Sequence, residues 1–321
     1  LPLLLLVLAL GSALVALGIG PVAIPASRVV SLLFARETTP EARILQELRV
    51  PRVLAGLAVG GGLGLAGAVM QGVFRNPLAD PYLMGVANGA AAGVVATLAF
   101  GISFRAARPV AAFLGGVLAV FLCWRLGRRR RELGLILAGI ALAAGFSALT
   151  GFLLLALAGT RRVEEFLFWS MGSLARVSWP ELRILGPTVL AALGVLLLWA
   201  RDLNALALGE EGALHLGVDP HRARRLLLAL STVLASSTVA FCGVVAFVGL
   251  VVPHMVRLLV GPDHRLVLPG AALLGGTLLV WADAAARTLR APWELPLGTV
   301  TALLGAPFFL YLLWARLGKG P

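Results

Sequence analysis

Apolar runs of roughly 20 residues recur from one end of the chain to the other, and short polar stretches close each of them. The runs cover about 1–19, 52–73, 84–101, 109–126, 133–158, 183–200, 226–242, 244–260, 266–286 and 297–315. A helix needs about 20 apolar residues to cross the hydrocarbon layer of a bilayer. Barrel strands would instead alternate with period two, and these runs do not. The pattern predicts an all-α polytopic membrane protein with about ten transmembrane helices, forming a single transmembrane domain over residues 1–321. The first run has the look of a signal peptide, but no convincing cleavage site follows it, so it is read as a span. The chain begins at Leu1 rather than Met, and we expect further residues to precede it.

The polar breaks differ in kind. Gly20 to Val50 reads as a loop of mixed charge. Arg75-Asn76-Pro77-Leu78-Ala79-Asp80-Pro81 reads as a tight turn with two prolines, and Gly261-Pro262-Asp263-His264-Arg265 as another turn. Within the second run, Gly60, Gly64 and Gly67 fall near one helical face and form a small-residue stripe that permits close helix contact.

The longest break, Arg201 to Arg225, is cut by Gly209, Gly217 and Pro220 into pieces too short to cross a membrane. Its first piece opens with Glu210 and Glu211, where a helix N-terminus favours negative charge, and carries Ala213, Leu214 and Leu216 on a partly apolar side. Its second starts at Asp219-Pro220, a cap followed by proline at the first helical position, and ends in Arg222, Arg224 and Arg225. Two short helices at a membrane surface suit contact with another protein. A solvated, partly helical loop fits the same spacing.

Composition agrees with the membrane reading. The chain is 60% hydrophobic and 13% charged, about half the charged share of a soluble domain. The net charge of +12 lies in short loops between spans, which argues against nucleic acid as a partner. Cys123 and Cys242 both sit in apolar runs and imply neither a disulfide nor a metal site. An even number of spans puts both termini on one side. Placing them in the cytoplasm puts Arg128 to Arg131 and Arg222, Arg224 and Arg225 inside, the expected bias. Arg49, Arg52, Arg161, Arg162, Arg176 and Arg287 then face outward, and an acidic external partner would account for them. Lys319 is the only lysine, and no glycine-rich loop ends in Gly-Lys-Ser/Thr, so the chain carries no conventional Walker A phosphate site. If ATP drives this protein, another polypeptide must bind it.

An ordered set of motifs resembles the permease subunits of ABC importers for iron-siderophores, heme and vitamin B12. The set comprises Arg49-Val50-Pro51-Arg52, Gly67-Ala68-Val69-Met70-Gln71, Arg75 to Pro81, Leu203 to Gly217, Gly249 to His254, Asp263-His264-Arg265, Glu294 to Gly298 and Gly305-Ala306-Pro307. The resemblance runs from about residue 45 to the end. It implies the type II ABC importer permease fold and a homodimer with the translocation path on its two-fold axis. Two ATP-binding cassette ATPase subunits would dock on the cytoplasmic side, and a periplasmic or extracytoplasmic substrate-binding protein would dock on the other. The complex would sit in lipid, in a bacterial inner membrane.

By resemblance, residues 203–225 are a cytoplasmic coupling segment. Within it Leu203, Ala205, Leu206, Gly209, Glu210, Glu211, Ala213, Leu216 and Gly217 would contact the ATPase. Arg49, Arg52 and Arg287 would meet acidic residues of the binding protein. Asn76 and Leu78 would form part of a cytoplasmic gate. A second gate element expected before the fifth span is hydroxyl-rich in the vitamin B12 permease but reads Arg131-Glu132-Leu133 here, a departure from the pattern. No cofactor, metal or catalytic residue is expected in this chain, since a partner would bind ATP and Mg.

The rival class is a secondary transporter driven by an ion gradient, which needs ionisable residues inside the membrane. Asp283 with Arg287 and His254 with Arg257 are its candidates; the first reads better as a helix-end ion pair and the second as a packed histidine. A purely structural anchor would need neither gate nor coupling surface. The residues do not separate heme, a ferric siderophore and a corrinoid as cargo.

Overall fold

The computed structural model describes residues 2–34, 39–102, 106–127 and 131–317, and all of its regular elements are helical. Arg128 to Arg130, the side chains of Arg131 and Glu132, and Lys319 lie outside the described residues, and with them the inward arginine run and the departure at the second gate.

Six helical stretches are long and apolar enough to cross a membrane: Pro40–Val73, Ala107–Gly127, Leu133–Ala156, Trp179–Leu198, Pro220–Cys242 and His264–Ala286. Four shorter apolar helices, Pro2–Gly18, Val86–Ala99, Val248–Val260 and Leu297–Tyr311, complete the expected set of ten.

The fold is built around one helix, α4 (Val50–Val73), which is apolar on every side and buried for most of its length. Helices of that composition belong in the centre of a bundle. Around it pack α1 (Pro2–Gly18), α9 (Trp179–Leu198), α10 (Ala200–Ala207), α12 (Pro220–Cys242), α13 (Val248–Val260) and α14 (His264–Ala286). A second set, α5 (Val86–Ala99), α6 (Ala107–Gly127) and α7 (Arg131–Ala156), packs within itself and joins the first through α12.

The glycine stripe sets the tightest crossing. A Cβ on Gly60 would lie 2.6 Å from the carbonyl carbon of Gly275 and 2.8 Å from the Cβ of Leu279, both on α14. One on Gly64 would lie 3.0 Å from the carbonyl carbon of Ala271, also on α14, whereas one on Gly67 would run into the backbone of Gly249 on α13. Only hydrogen fits at these three positions, so α4 and its neighbours touch backbone to backbone.

Three boundaries depart from the sequence reading. The stretch read as a loop before Val50 contains α2 (Ala26–Phe34) and α3 (Pro40–Arg43), and α3 runs through a π-turn at Ile44–Arg49 into α4. Thr39 caps this helix by accepting the Ala42 N–H at 3.3 Å, and Pro40 opens it. The second piece of the polar break is not separate from the seventh span. α12 starts at Pro220 and runs unbroken to Cys242, because nothing between Arg225 and Leu226 stops a helix. The sixth span ends at Leu198, and Trp199 separates it from α10.

Candidate coupling and docking sites

α4 has 24 residues, which at about 1.5 Å per residue makes it about 36 Å long, so its ends lie a bilayer apart. The candidate residues fall at both ends.

At the C-terminal end of α4, α10 lies against the bundle with Ala200, Leu203, Ala205 and Leu206 buried. Gly209, at φ +97°, turns the chain into α11 (Glu210–His215). α11 closes with Gly217 in the left-handed region at φ +76° and with a hydrogen bond from Val218 N–H to the Ala213 carbonyl at 2.9 Å. That is the six-to-one bond of a Schellman ending. Ala213 packs inward, and large apolar side chains stay outside. Leu208, Leu214 and Leu216 are 69%, 61% and 48% exposed. Glu210 ties α11 to α12 through Arg224 at 3.3 Å, and Glu211 is exposed. As read from the sequence, Asp219 caps α12, accepting from His221 and Arg222 N–H at 2.9 and 3.2 Å. Those two N–H groups hold its carboxyl below the usual range.

The sequence reading treated the coupling residues as one contact set, and the structure divides them. Leu203, Ala205, Leu206 and Ala213 are buried and serve as anchors, whereas Glu211, Leu216 and Gly217 reach the surface. Leu208 and Leu214 are the most exposed large apolar side chains of the segment; Leu214 lies on the apolar side read from the sequence, and neither is among the residues expected there to contact the ATPase. An exposed leucine inside a polar break was the available signal.

A polar clip that the reading also missed joins α10 to the start of α14. The Asn204 amide donates to Asp263 at 2.7 Å, and its oxygen accepts the backbone N–H of His264 at 2.9 Å and lies 2.7 Å from His264 Nδ1. Asp263 also accepts the Arg265 N–H at 3.0 Å, and that bond first, with the Asn204 amide second, holds its carboxyl below the ordinary range.

The turn of Asn76 and Leu78 is at the same end. Leu78 N–H donates to the Asn76 side chain at 2.9 Å, an Asx turn, and Ala79 N–H donates to the Asn76 carbonyl at 3.0 Å. Asn76 is exposed and Leu78 half-buried. The neighbouring Arg75 Nη1 lies 3.4 Å from where a Cβ on Gly209 would stand, so the Asn76 turn and the α10–α11 linker adjoin. Asp80 caps the next short turn by accepting the Tyr82 N–H at 2.7 Å. Burial pushes its carboxyl up to about 6 against the pull of that bond.

The opposite end holds the arginines. The sequence places Arg49, Arg52 and Arg287 on the outer side for contact with an acidic partner, and in the structure their guanidinium groups are already engaged within the chain. Arg49 and Arg287 are only 5% and 3% exposed. Arg49 donates to the carbonyls of Leu17 at 2.8 Å, Gly18 at 3.2 Å and Val22, and Arg287 donates to that of Ala16 at 2.9 Å. Most of these are the carbonyls that end α1, which have no partner within their own helix and draw charged donors. Asp283 lies 3.6 Å from Arg287 across one turn, the helix-end ion pair the spacing suggested.

Arg52 is the outermost of the three. Its Nε meets both oxygens of Asp283 at 3.0 Å, and its Nη2 meets Oδ1 at 2.9 Å. Its outer edge meets Glu294 as a fork, Nη1 to Oε1 at 2.8 Å and Nη2 to Oε2 at 3.0 Å.

Known proteins share this architecture. The FecCD transport family profile matches residues 4–315. The cobalamin import system permease protein BtuC of Halobacterium salinarum is 41% identical over 85% of this chain and 74% of its own length. The hemin transport system permease protein HmuU of Yersinia pestis is 41% identical over 83% of this chain and 81% of its own. Among solved structures, an inward-facing conformation of a transporter assigned to the metal-chelate ABC type superposes with a TM-score of 0.88 at 34% identity, covering 98% of both chains. With the profile spanning nearly every residue and both relatives well matched, the chain belongs to the FecCD transport family.

Proposed function

We propose that this chain is the membrane permease of an ATP-driven importer. It works as a homodimer, with two ATPase subunits at the α10–α11 end and a substrate-binding protein at the Arg52 end. The observation that carries the reading is the exposed triad Leu208, Leu214 and Leu216 on a segment too short and polar to lie in lipid. Apolar side chains outside the hydrocarbon layer mark a protein contact.

The anchors define a route for force. A push on α11 moves α10, whose Leu203 packs beside Gly72 near the end of α4 and whose Asn204 is clipped to α14. Displacement of that end moves the Asn76 turn, which continues directly from α4. Cargo passes along the dimer axis, and ATP and Mg stay with the partner. The membrane is the cytoplasmic one.

Cargo is a metal chelate or corrinoid, such as heme, a ferric siderophore or cobalamin. Two relatives at the same 41% identity are named for cobalamin and for hemin, so overall similarity does not choose between them. The binding protein sets that choice. Asp283, one candidate for ion coupling, is instead ion-paired between Arg52 and Arg287 at a helix end.

Site-directed cross-linking tests the reading. A cysteine at Leu214 or Leu208 cross-links to the ATPase subunit in the assembled complex, while one at the buried Ala213 does not. Equal labelling of both positions by lipid-soluble reagents, without an ATPase adduct, would remove the coupling assignment.

A further inference from the structure

We propose that Glu294 is an internal stand-in for an acidic side chain of the binding protein, and that docking exchanges one carboxylate for the other on Arg52. The inference rests on the docking role proposed for this end of the bundle.

The two edges of the Arg52 guanidinium are held differently. The inner edge grips Asp283, which is buried on α14 and also faces Arg287. The outer edge grips Glu294, whose side chain is 38% exposed. Glu294 belongs to the non-helical stretch between α14 and α15 (Leu297–Leu317), and its neighbours Leu289 and Trp293 are exposed apolar side chains. An exposed tryptophan beside an arginine fork is the composition of an interface centre. Asp283 cannot leave without stranding a buried charge. Glu294 can, because its carboxylate is already at water. An incoming Asp or Glu finds the same planar fork, which binds a carboxylate through two parallel hydrogen bonds.

The backbone confines the swing to the side chain. Leu295 N–H is tied to the Ala286 carbonyl at 2.8 Å, Leu297 N–H to Gly172 at 2.9 Å and Gly298 N–H to Met171 at 2.9 Å. The segment therefore stays in place while its acid yields, which keeps Arg52 pre-shaped and shielded until a partner arrives. Glu294 thus restrains docking, a role opposite to that of an acid that simply helps hold the site together.

The test is a double-mutant cycle on the assembled permease–ATPase complex in nanodiscs, with affinity measured for the purified binding protein that supports its uptake. Glu294→Gln is expected to tighten docking about two- to fivefold, the range in which a partly exposed ion pair is broken. In an Arg52→Gln background the same change is expected to do nothing. Glu47→Gln, which removes an exposed charge from the same end without touching Arg52, reports the general charge effect and is expected to fade at 0.3 M salt. Arg52→Lys keeps the charge without the fork and serves if Arg52→Gln does not fold.

Tightening by Glu294→Gln that persists in both arginine variants would mean a long-range field and overturn the exchange. Weakened docking in Glu294→Gln would make Glu294 a direct contact and also overturn it. Docking unaffected by either arginine variant would remove the docking role itself, and the exchange with it.

Discussion

The crossing of α4 and α14 makes a demanding prediction. Replacing Gly60 by alanine places a carbon 2.6 Å from the Gly275 carbonyl carbon and 2.8 Å from the Leu279 Cβ. Carbon atoms in good contact stand about 3.5–4.0 Å apart, so the helices must part by about 1 Å. The clashing carbonyl belongs to a helix backbone and has no rotamer to escape into. Overpacking of this kind costs about 1–3 kcal/mol. At about 2.1 cal/mol/K of unfolding entropy per residue, a chain of 321 residues loses about 1.5 °C per kcal/mol, so Gly60→Ala lowers the melting temperature by about 1.5–4.5 °C.

Gly194→Ala is the control, since a Cβ there meets nothing within 4 Å and the helix propensity gain is favourable. The reciprocal change, Gly275→Ala, meets the Gly60 carbonyl carbon at 3.0 Å and costs a similar amount. The double variant costs less than the sum, because the first methyl has already separated the helices for the second. Thermal unfolding of detergent-solubilised protein measures all four variants. Melting of Gly60→Ala within 1 °C of Gly194→Ala, or full additivity of the pair, would refute the close crossing.

Two further predictions concern the coupling end. Replacing Leu208 and Leu214 together by serine removes most of the exposed apolar face of the linker. Burial of a leucine is worth about 1.5–3 kcal/mol, so the double change weakens ATPase association by at least about tenfold, read by titration in nanodiscs; unchanged affinity would mean that the face touches nothing. Asp80 provides a pH test. Its folded carboxyl titrates near 6, above the usual carboxylate value near 3.9, so the native state holds its proton longer than the unfolded chain. Stability then falls as pH rises from about 4 to 6 and stays level above. Asp80→Asn keeps an acceptor for the Tyr82 N–H and flattens that stretch of the melting profile relative to wild type; parallel profiles would contradict it.

The spans were legible because a bilayer imposes one length and one composition on every crossing helix. The turn residues were legible too: Asp219-Pro220 reads as a cap and performs as one, and Gly60, Gly64 and Gly67 read as a contact stripe and pack as one. What the order of residues did not disclose is which partner each charge chooses. Arg49 and Arg287 read as outward charges, yet the open carbonyls at the end of α1 lie more than 200 residues from Arg287 in sequence and capture it. The side on which each residue of the α10–α11 segment falls depends on how these short helices dock on the bundle, which puts Ala213 in and Leu214 out. The helices hidden before Val50 lacked the long apolar run that marks a span.

The central claim is that energy enters this chain from a separate ATPase pressed against the α10–α11 linker. Uptake by proteoliposomes measures it directly. The permease reconstituted with its ATPase and binding protein is predicted to accumulate cargo only when ATP is supplied, and to lose that accumulation, but not its assembly, when a cross-link pins the linker to the bundle. Accumulation driven by a proton or sodium gradient through the permease alone would contradict it.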